Sequence, residues 1–168
     1  DLGSSYGSDF EIIRSPEHVY GLEATTDLQV IDPLAVGGTF SWVKGKRDAD
    51  DNGSYETPLP GNRIPPEKIT GYVEATPLDG WTARLQMLYS GHRDAFPNSN
   101  AYGRGSVSPY TIFDLSSRIE VGPGALTVGI ENLFDNYYFP VRSQFTNYGP
   151  AYTPGRGRTV SLSYSVQW

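Results

Sequence analysis

The chain has no cysteine, so neither a disulfide framework nor thiol chemistry is open to it. It has no run of about 18 apolar residues, which excludes a transmembrane helix. No segment sustains an apolar period of about 3.6 residues, and a helical bundle is excluded with it. No long basic run occurs, and the net charge is −6 with a pI near 4.8; nucleic acid is therefore not an expected partner. The only histidines are His18 and His92, and no His or carboxylate cluster has metal-ligand spacing, so no structural zinc site is expected. No nucleophile motif of the G-x-S-x-G kind is present. The carboxylate pairs Glu23/Asp27 and Asp114/Glu120 read as charged positions on a wet face. The expectation is a protein that is not an enzyme and carries no cofactor. The chain starts at Asp1 with neither Met nor a signal sequence, so an N-terminal part is expected to have been removed.

What is abundant points to β structure. There are 19 glycines, 13 prolines and 12 tyrosines in 168 residues, a mixture that suits many turns and large aromatic anchors. Alternation with period two marks seven segments, at 18–30, 34–46, 66–77, 81–92, 110–121, 125–135 and 157–168. Ile31-Asp32-Pro33, Pro77-Leu78-Asp79-Gly80 and Gly122-Pro123-Gly124 are tight turns, whereas 47–65, 93–109 and 136–156 are long links; the first nine residues read as the tail of another. Short turns on one end and long loops on the other are the habit of transmembrane barrels.

The two faces differ sharply. One carries Tyr20, Leu22, Ala24, Thr26, Leu28 and Val30 on the first segment, and Leu34, Val36, Gly38, Phe40 and Trp42 on the second. Its equivalents further on include Val73, Leu85, Met87, Leu115, Ile119, Val128, Leu162 and Val166, and no position in the set is charged. The intervening positions hold Glu23, Asp27, Glu74, Arg84, Asp114, Arg118, Glu120 and Glu131. A lipid-facing exterior around a polar lumen explains the pattern, since a charge at mid-bilayer costs about 2–4 kcal/mol. The core of a soluble β-sandwich explains it too, and periodicity alone does not separate the two. Tyr20, Trp42, Trp81, Tyr89, Phe113 and Trp168 fall at or near segment ends on the apolar side, where membrane interfaces place aromatic girdles.

The last third is more specific. Asn132-Leu133-Phe134-Asp135, followed by Tyr138, resembles the penultimate-strand signature of TonB-dependent receptors. Pro154-Gly155-Arg156 is similar to their element before the final strand. The alternating run Val160, Leu162, Tyr164, Val166, Trp168 resembles the terminal strand read by the outer-membrane assembly machinery. Upstream, residues 14–23 resemble a strand opening of the family with Arg14 and Pro16 in place of the usual Asn and Gly, and Asn62-Arg63-Ile64-Pro65-Pro66 resembles its lead into a descending strand.

The resemblance implies an all-β, antiparallel, up-and-down transmembrane barrel in the bacterial outer membrane. Residues 1–168 would be the C-terminal part of the barrel domain, about seven strands of roughly 22, with plug and N-terminal strands absent from this chain. It further implies a transporter of ferric siderophore or a similar scarce nutrient, with TonB engaged through an N-terminal region, and with the lipid bilayer and the assembly machinery as the other partners. A soluble β-sandwich binding module and another outer-membrane barrel such as a porin are the alternatives.

Loop Arg and Tyr side chains suit anionic or aromatic iron chelates. The candidate ligand contacts are Tyr55, Arg63, His92, Arg93, Tyr102, Arg104, Arg142 and Tyr148, with Tyr110 beside them and loops 47–65 and 136–156 foremost. The signature residues Asn132, Leu133, Phe134, Asp135, Tyr138, Pro154, Gly155, Arg156 and Trp168 read as structural. Asp48-Ala49-Asp50-Asp51-Asn52-Gly53 matches half of a calcium loop, but the place of the closing glutamate is taken by Leu59, so a solvated loop tip is expected. Asn52-Gly53-Ser54 has the form of a glycosylation acceptor, which reads as chance.

Overall fold

The computed structural model describes residues 2–4, 12–14, 16–94, 105–145 and 153–166. Among the described residues there are ten strands: β1 (Leu2–Ser4), β2 (Ile12–Arg14), β3 (Glu17–Ile31), β4 (Leu34–Arg47), β5 (Thr57–Pro58), β6 (Lys68–Leu78), β7 (Trp81–Ser90), β8 (Tyr110–Val121), β9 (Gly124–Glu131) and β10 (Thr159–Val166). A 3-10 helix spans Val141–Phe145. The seven long strands form one antiparallel meander in the order β3-β4-β6-β7-β8-β9-β10, while β5 adds to the outer end of β4 and β1 pairs β2 apart from this sheet.

The tight turns fall where residue chemistry requires. Gly80 and Gly122 have φ of 76° and 59°, a left-handed backbone at little cost to glycine. Register follows the alternation. Leu22 faces Trp42, Ala24 faces Phe40, Val36 faces Val73 and Val73 faces Leu85. Met87 faces Phe113, Leu115 faces Ile130 and Leu126 faces Tyr164. A one-residue slip at any junction would move an entire strand's apolar set to the wet side.

Among the described residues, no second layer covers the apolar face. Leu22 and Leu28 are each 59% exposed and Leu162 is 70% exposed, values incompatible with the core of a sandwich. Among the described residues, Ala125 is the one buried apolar side chain within a long strand; Leu59, Ile64, Val107 and Phe145 lie outside them. Aromatics mark both limits of the apolar band. Tyr20 meets Trp42 edge-on at 5.9 Å and Phe113 meets Phe134 at 5.3 Å on the loop end. At the turn end the Trp81 indole donates to Ser117 at 2.9 Å, and the Tyr164 hydroxyl to the Val121 carbonyl at 2.9 Å. From Tyr20 to Val30 is about 33 Å along the strand at ~3.3 Å per residue. A tilt of about 40° makes that about 25 Å of height, the apolar thickness of an outer-membrane barrel.

The opposite face is a polar wall. Arg84 pairs with Glu74 at 3.5 Å and lays its guanidinium 3.8 Å from the Tyr72 ring centre. The Tyr72 hydroxyl crosses β4 to donate to the Asp27 carboxylate. A Cβ at Gly37 would fall 2.5 Å from the Tyr72 ring and 2.6 Å from Asp27 Oδ1, so glycine is what allows that crossing.

Three expectations change. The ninth strand ends at Glu131 instead of 135, because Asn132 has φ of 49°. The first residues are the start of the β1–β2 hairpin instead of the tail of a long link. β5 and the 3-10 helix had no signal in the alternation.

Candidate functional site

The three long connections meet at one end of the sheet. The first leaves β4 at Asp48, which is buried, and whose amide donates to the Pro16 carbonyl at 3.0 Å. Burial alone would raise the Asp48 carboxyl. The Gly53 and Asn52 amides, donating to it at 2.7 and 3.2 Å, together with the neighbouring Asp50, hold it below the usual carboxylate range. The Asn52 amide group donates to Asp50 at 2.9 Å, and Asp51 and Gly53 take φ of 57° and 83°. This segment closes on its own backbone. No group of three or more His, Cys, Asp or Glu is set to hold a metal ion among the described residues.

The connection then folds back over the polar face. The Leu59 amide donates to the Gly45 carbonyl at 2.9 Å, and Leu59 and Ile64 pack where a Gly45 side chain would stand, within 2.7 and 2.9 Å of that missing Cβ. Arg63 closes a fork on Glu17 of β3, Nη1 to Oε1 at 3.2 Å and Nη2 to Oε2 at 2.7 Å. The second connection joins here: Arg93 Nη2 donates to the Leu59 carbonyl at 3.0 Å, and the Arg93 backbone exchanges hydrogen bonds with Val107 at 3.0 and 2.8 Å. Burial draws the Arg93 guanidinium below its ordinary value but leaves it a cation at any physiological pH. The third connection is tied in by buried Gln144. Its Oε1 accepts from the Ser108 amide at 2.8 Å, and its Nε2 donates to the carbonyls of Phe139 at 2.8 Å and Ser108 at 3.2 Å.

Beneath this platform the Asn132 side chain is a junction. It accepts from the Asn136 amide at 2.9 Å and donates to the carbonyls of Asn136 at 2.9 Å and Arg156 at 3.0 Å. Its own amide donates to Asp114 of β8 at 2.8 Å. Asp135 accepts from the Arg158 amide at 2.7 Å, and Leu133 donates to the Phe113 carbonyl at 2.7 Å. Gly155 donates to the Tyr138 carbonyl at 2.8 Å and lies so close under the Tyr138 ring that a Cβ would sit 2.2 Å from it. Tyr138 in turn stacks on Tyr110 at 4.7 Å. The signature residues thus join the end of β9 to β8 and to the approach to β10. Pro154 and the Arg156 side chain are exposed on that approach.

The candidate ligand contacts divide. Arg63 and Arg93 are engaged in holding the loops. Tyr55 packs against His18 at 5.9 Å, and His92 meets Asp94 at 3.0 Å. Arg142 is exposed at the head of the 3-10 helix. Tyr102, Arg104, Tyr148 and Trp168 lie outside the described residues. Gln144 and Leu59 carry the platform with Glu17 of β3, yet Gln144 and Leu59 belong to no matched motif; a lone polar or apolar loop residue gives no sequence signal.

This arrangement has relatives. Residues 2–133 match the family model described as the TonB dependent receptor-like β-barrel. The chain belongs to the TonB-dependent receptor family. It is 32% identical over 165 residues to the ferric aerobactin receptors of Escherichia coli and Klebsiella pneumoniae, covering 92% of this chain and 21% of each receptor. The chain therefore spans about a fifth of these curated relatives. Among solved structures it superposes on the copper transporter OprC with a TM-score of 0.75 at 19% identity, covering 99% of this chain and 26% of that one. On the unliganded ferric citrate transporter FecA the TM-score is 0.71 at 19% identity, with 96% and 26% covered. TonB-dependent receptors are outer-membrane barrels, so the exposed apolar band faces lipid and the polar face lines the lumen. The long loops then lie on the external side.

Proposed function

We propose that this chain supplies wall and external loops to a receptor that imports an anionic ferric siderophore, with a plug from the rest of the protein inside the barrel and TonB providing energy. One observation carries the reading. Three loops from three hairpins are knitted into a platform folded toward the lumen, above a polar wall in which Arg84 pairs with Glu74. The relatives named as ferric aerobactin receptors support iron chelate as the cargo class.

Within the platform, Arg142 of the 3-10 helix is an exposed cation in no ion pair among the described residues. A charge-assisted hydrogen bond is worth about 1.5–3 kcal/mol. In the whole receptor, Arg142→Ala should therefore weaken binding of an anionic ferric siderophore about tenfold or more, with uptake falling in parallel. Radio-iron binding and uptake by cells expressing the receptor measure both. Unchanged binding removes Arg142 from the site, and uptake that persists in cells lacking TonB removes the transport reading.

A further inference from the structure

The aspartate-rich tip of the first connection holds an Asn52-Gly53 step that neither cargo capture nor the wall uses. Such a step has a chemistry of its own, in which the backbone nitrogen of the second residue attacks the side-chain amide of the first. Glycine favours the attack because it has no Cβ to hinder it. At Gly53 nothing lies within 4 Å of where a Cβ would stand, so ring closure meets no neighbour, and a φ of 83° is one that glycine adopts freely. Residues 51–55 are exposed, so water reaches the step.

The surroundings supply what acyl transfer needs. The Gly53 amide donates to Oδ2 of buried Asp48 at 2.7 Å, so the proton that the nucleophile must lose already points at a carboxylate. The Ser54 amide donates to Asn52 Oδ1 at 2.7 Å. It polarises the carbonyl under attack and stands where negative charge develops. Asp50 accepts from Asn52 Nδ2 at 2.9 Å, which fixes the side chain with its oxygen toward Ser54 and its nitrogen toward Asp50. Asp48 Oδ1 also accepts from the Asn52 amide at 3.2 Å, so one carboxylate anchors both residues of the step.

We propose that Asn52 is a self-modifying residue, whose side-chain amide is converted to a carboxylate by the Gly53 nitrogen. The bond from Gly53 N to Asn52 Cγ forms as the Gly53 proton passes to Asp48. The bond from Cγ to Nδ2 then breaks, and that nitrogen takes the proton and leaves as ammonia, giving a cyclic imide. Water opens the imide at either carbonyl. Opening at Cγ gives aspartate, and opening at the backbone carbonyl gives isoaspartate, with an extra carbon in the main chain. One water is consumed and one ammonia released, and no oxidant or reductant is needed. The product places a carboxylate where an amide donated to Asp50, so an attraction becomes a repulsion. The connection that carries Leu59 and Arg63 thus gains charge at its tip as the protein ages. The proposal is independent of the cargo assigned above.

The test incubates the whole receptor in detergent at neutral pH and follows the segment by peptide-mapping mass spectrometry, with isoaspartate detected by enzymatic methylation. Asn52 should convert, with isoaspartate among the products. Asn62, in the same connection but followed by Arg63, should remain an amide over that period. Asp48→Asn keeps an oxygen for the Gly53 amide but no base, and should slow conversion about tenfold or more, the remainder running on solvent hydroxide. The free peptide of residues 48–56 has the same neighbours without the fold, and should convert more slowly than the receptor. Should the Asp48 variant lose the turn altogether, the peptide comparison still decides. Four results would overturn the proposal: an Asn52 amide that outlasts Asn62, an unchanged rate in Asp48→Asn, a peptide that converts faster than the receptor, or aspartate without isoaspartate, which means direct hydrolysis without a ring.

Discussion

At the scale of the residue, Asn132 shows why a short signature is retained for structure. It is 2% exposed and holds a left-handed φ of 49°, a conformation that asparagine tolerates better than most residues. Its side chain bonds the Asn136 amide and the carbonyls of Asn136 and Arg156 where β9 stops pairing. Alanine there loses those bonds and keeps the backbone strain, an expected cost of about 3–4 kcal/mol. Asn132→Gly relieves the strain and still loses the bonds, so it should cost about 1 kcal/mol less. Urea unfolding of the whole receptor in detergent would show the order native, Gly, Ala. Equal costs for the two variants would mean that backbone conformation contributes nothing at this position.

At the scale of the element, the long strands were legible and the loops were not. Strand positions and faces followed from alternation, because a strand between lipid and water has one rule for every residue. The misplaced end of β9 shows the limit of that rule: a single asparagine in a left-handed conformation stops the strand at Glu131, short of the expected limit at 135. Resemblance supplied the Asn132 and Gly155 motifs, but not that Gly155 must pass under the Tyr138 ring, which depends on residues brought together from separate segments. The loop platform was invisible, since Leu59 and Val107 are joined through Arg93, and Gln144 is joined to Ser108, by contacts with no period. The candidate site was legible only as a choice of residue types, and two of its arginines turn out to be tied to Glu17 and to the Leu59 carbonyl.

The face assignment makes a prediction of its own. Leu85 lies midway between Trp81 and Tyr89 on the lipid side, and Gln86 is its neighbour on the lumen side. Leu85→Arg should destabilise the receptor in lipid by about 2–4 kcal/mol, whereas Gln86→Arg should cost under about 1 kcal/mol. Unfolding of both variants in vesicles compares them directly, and similar costs would contradict the face assignment.

At the scale of the whole molecule, the meander has two open sides. β3 offers its outer edge along Glu17–Ile31 and β10 along Thr159–Val166, and neither pairs with another strand among the described residues. Each edge presents backbone donors and acceptors that water can satisfy and hydrocarbon cannot. Closure of this chain on itself would bend the seven strands far more tightly than the wide barrels on which it superposes. Strands of a larger barrel, like those on which the chain superposes, are the partners that fit these two edges. The 168-residue chain refolded alone in detergent should therefore self-associate, giving broad high-mass species in light scattering and no heat-dependent shift in gel mobility. Supplied together with the rest of the receptor as a separate chain, it should yield a single species of defined mass with that shift. A monodisperse, heat-shifting species from the 168 residues alone would show instead that the two edges find each other, and that these strands close a small barrel of their own.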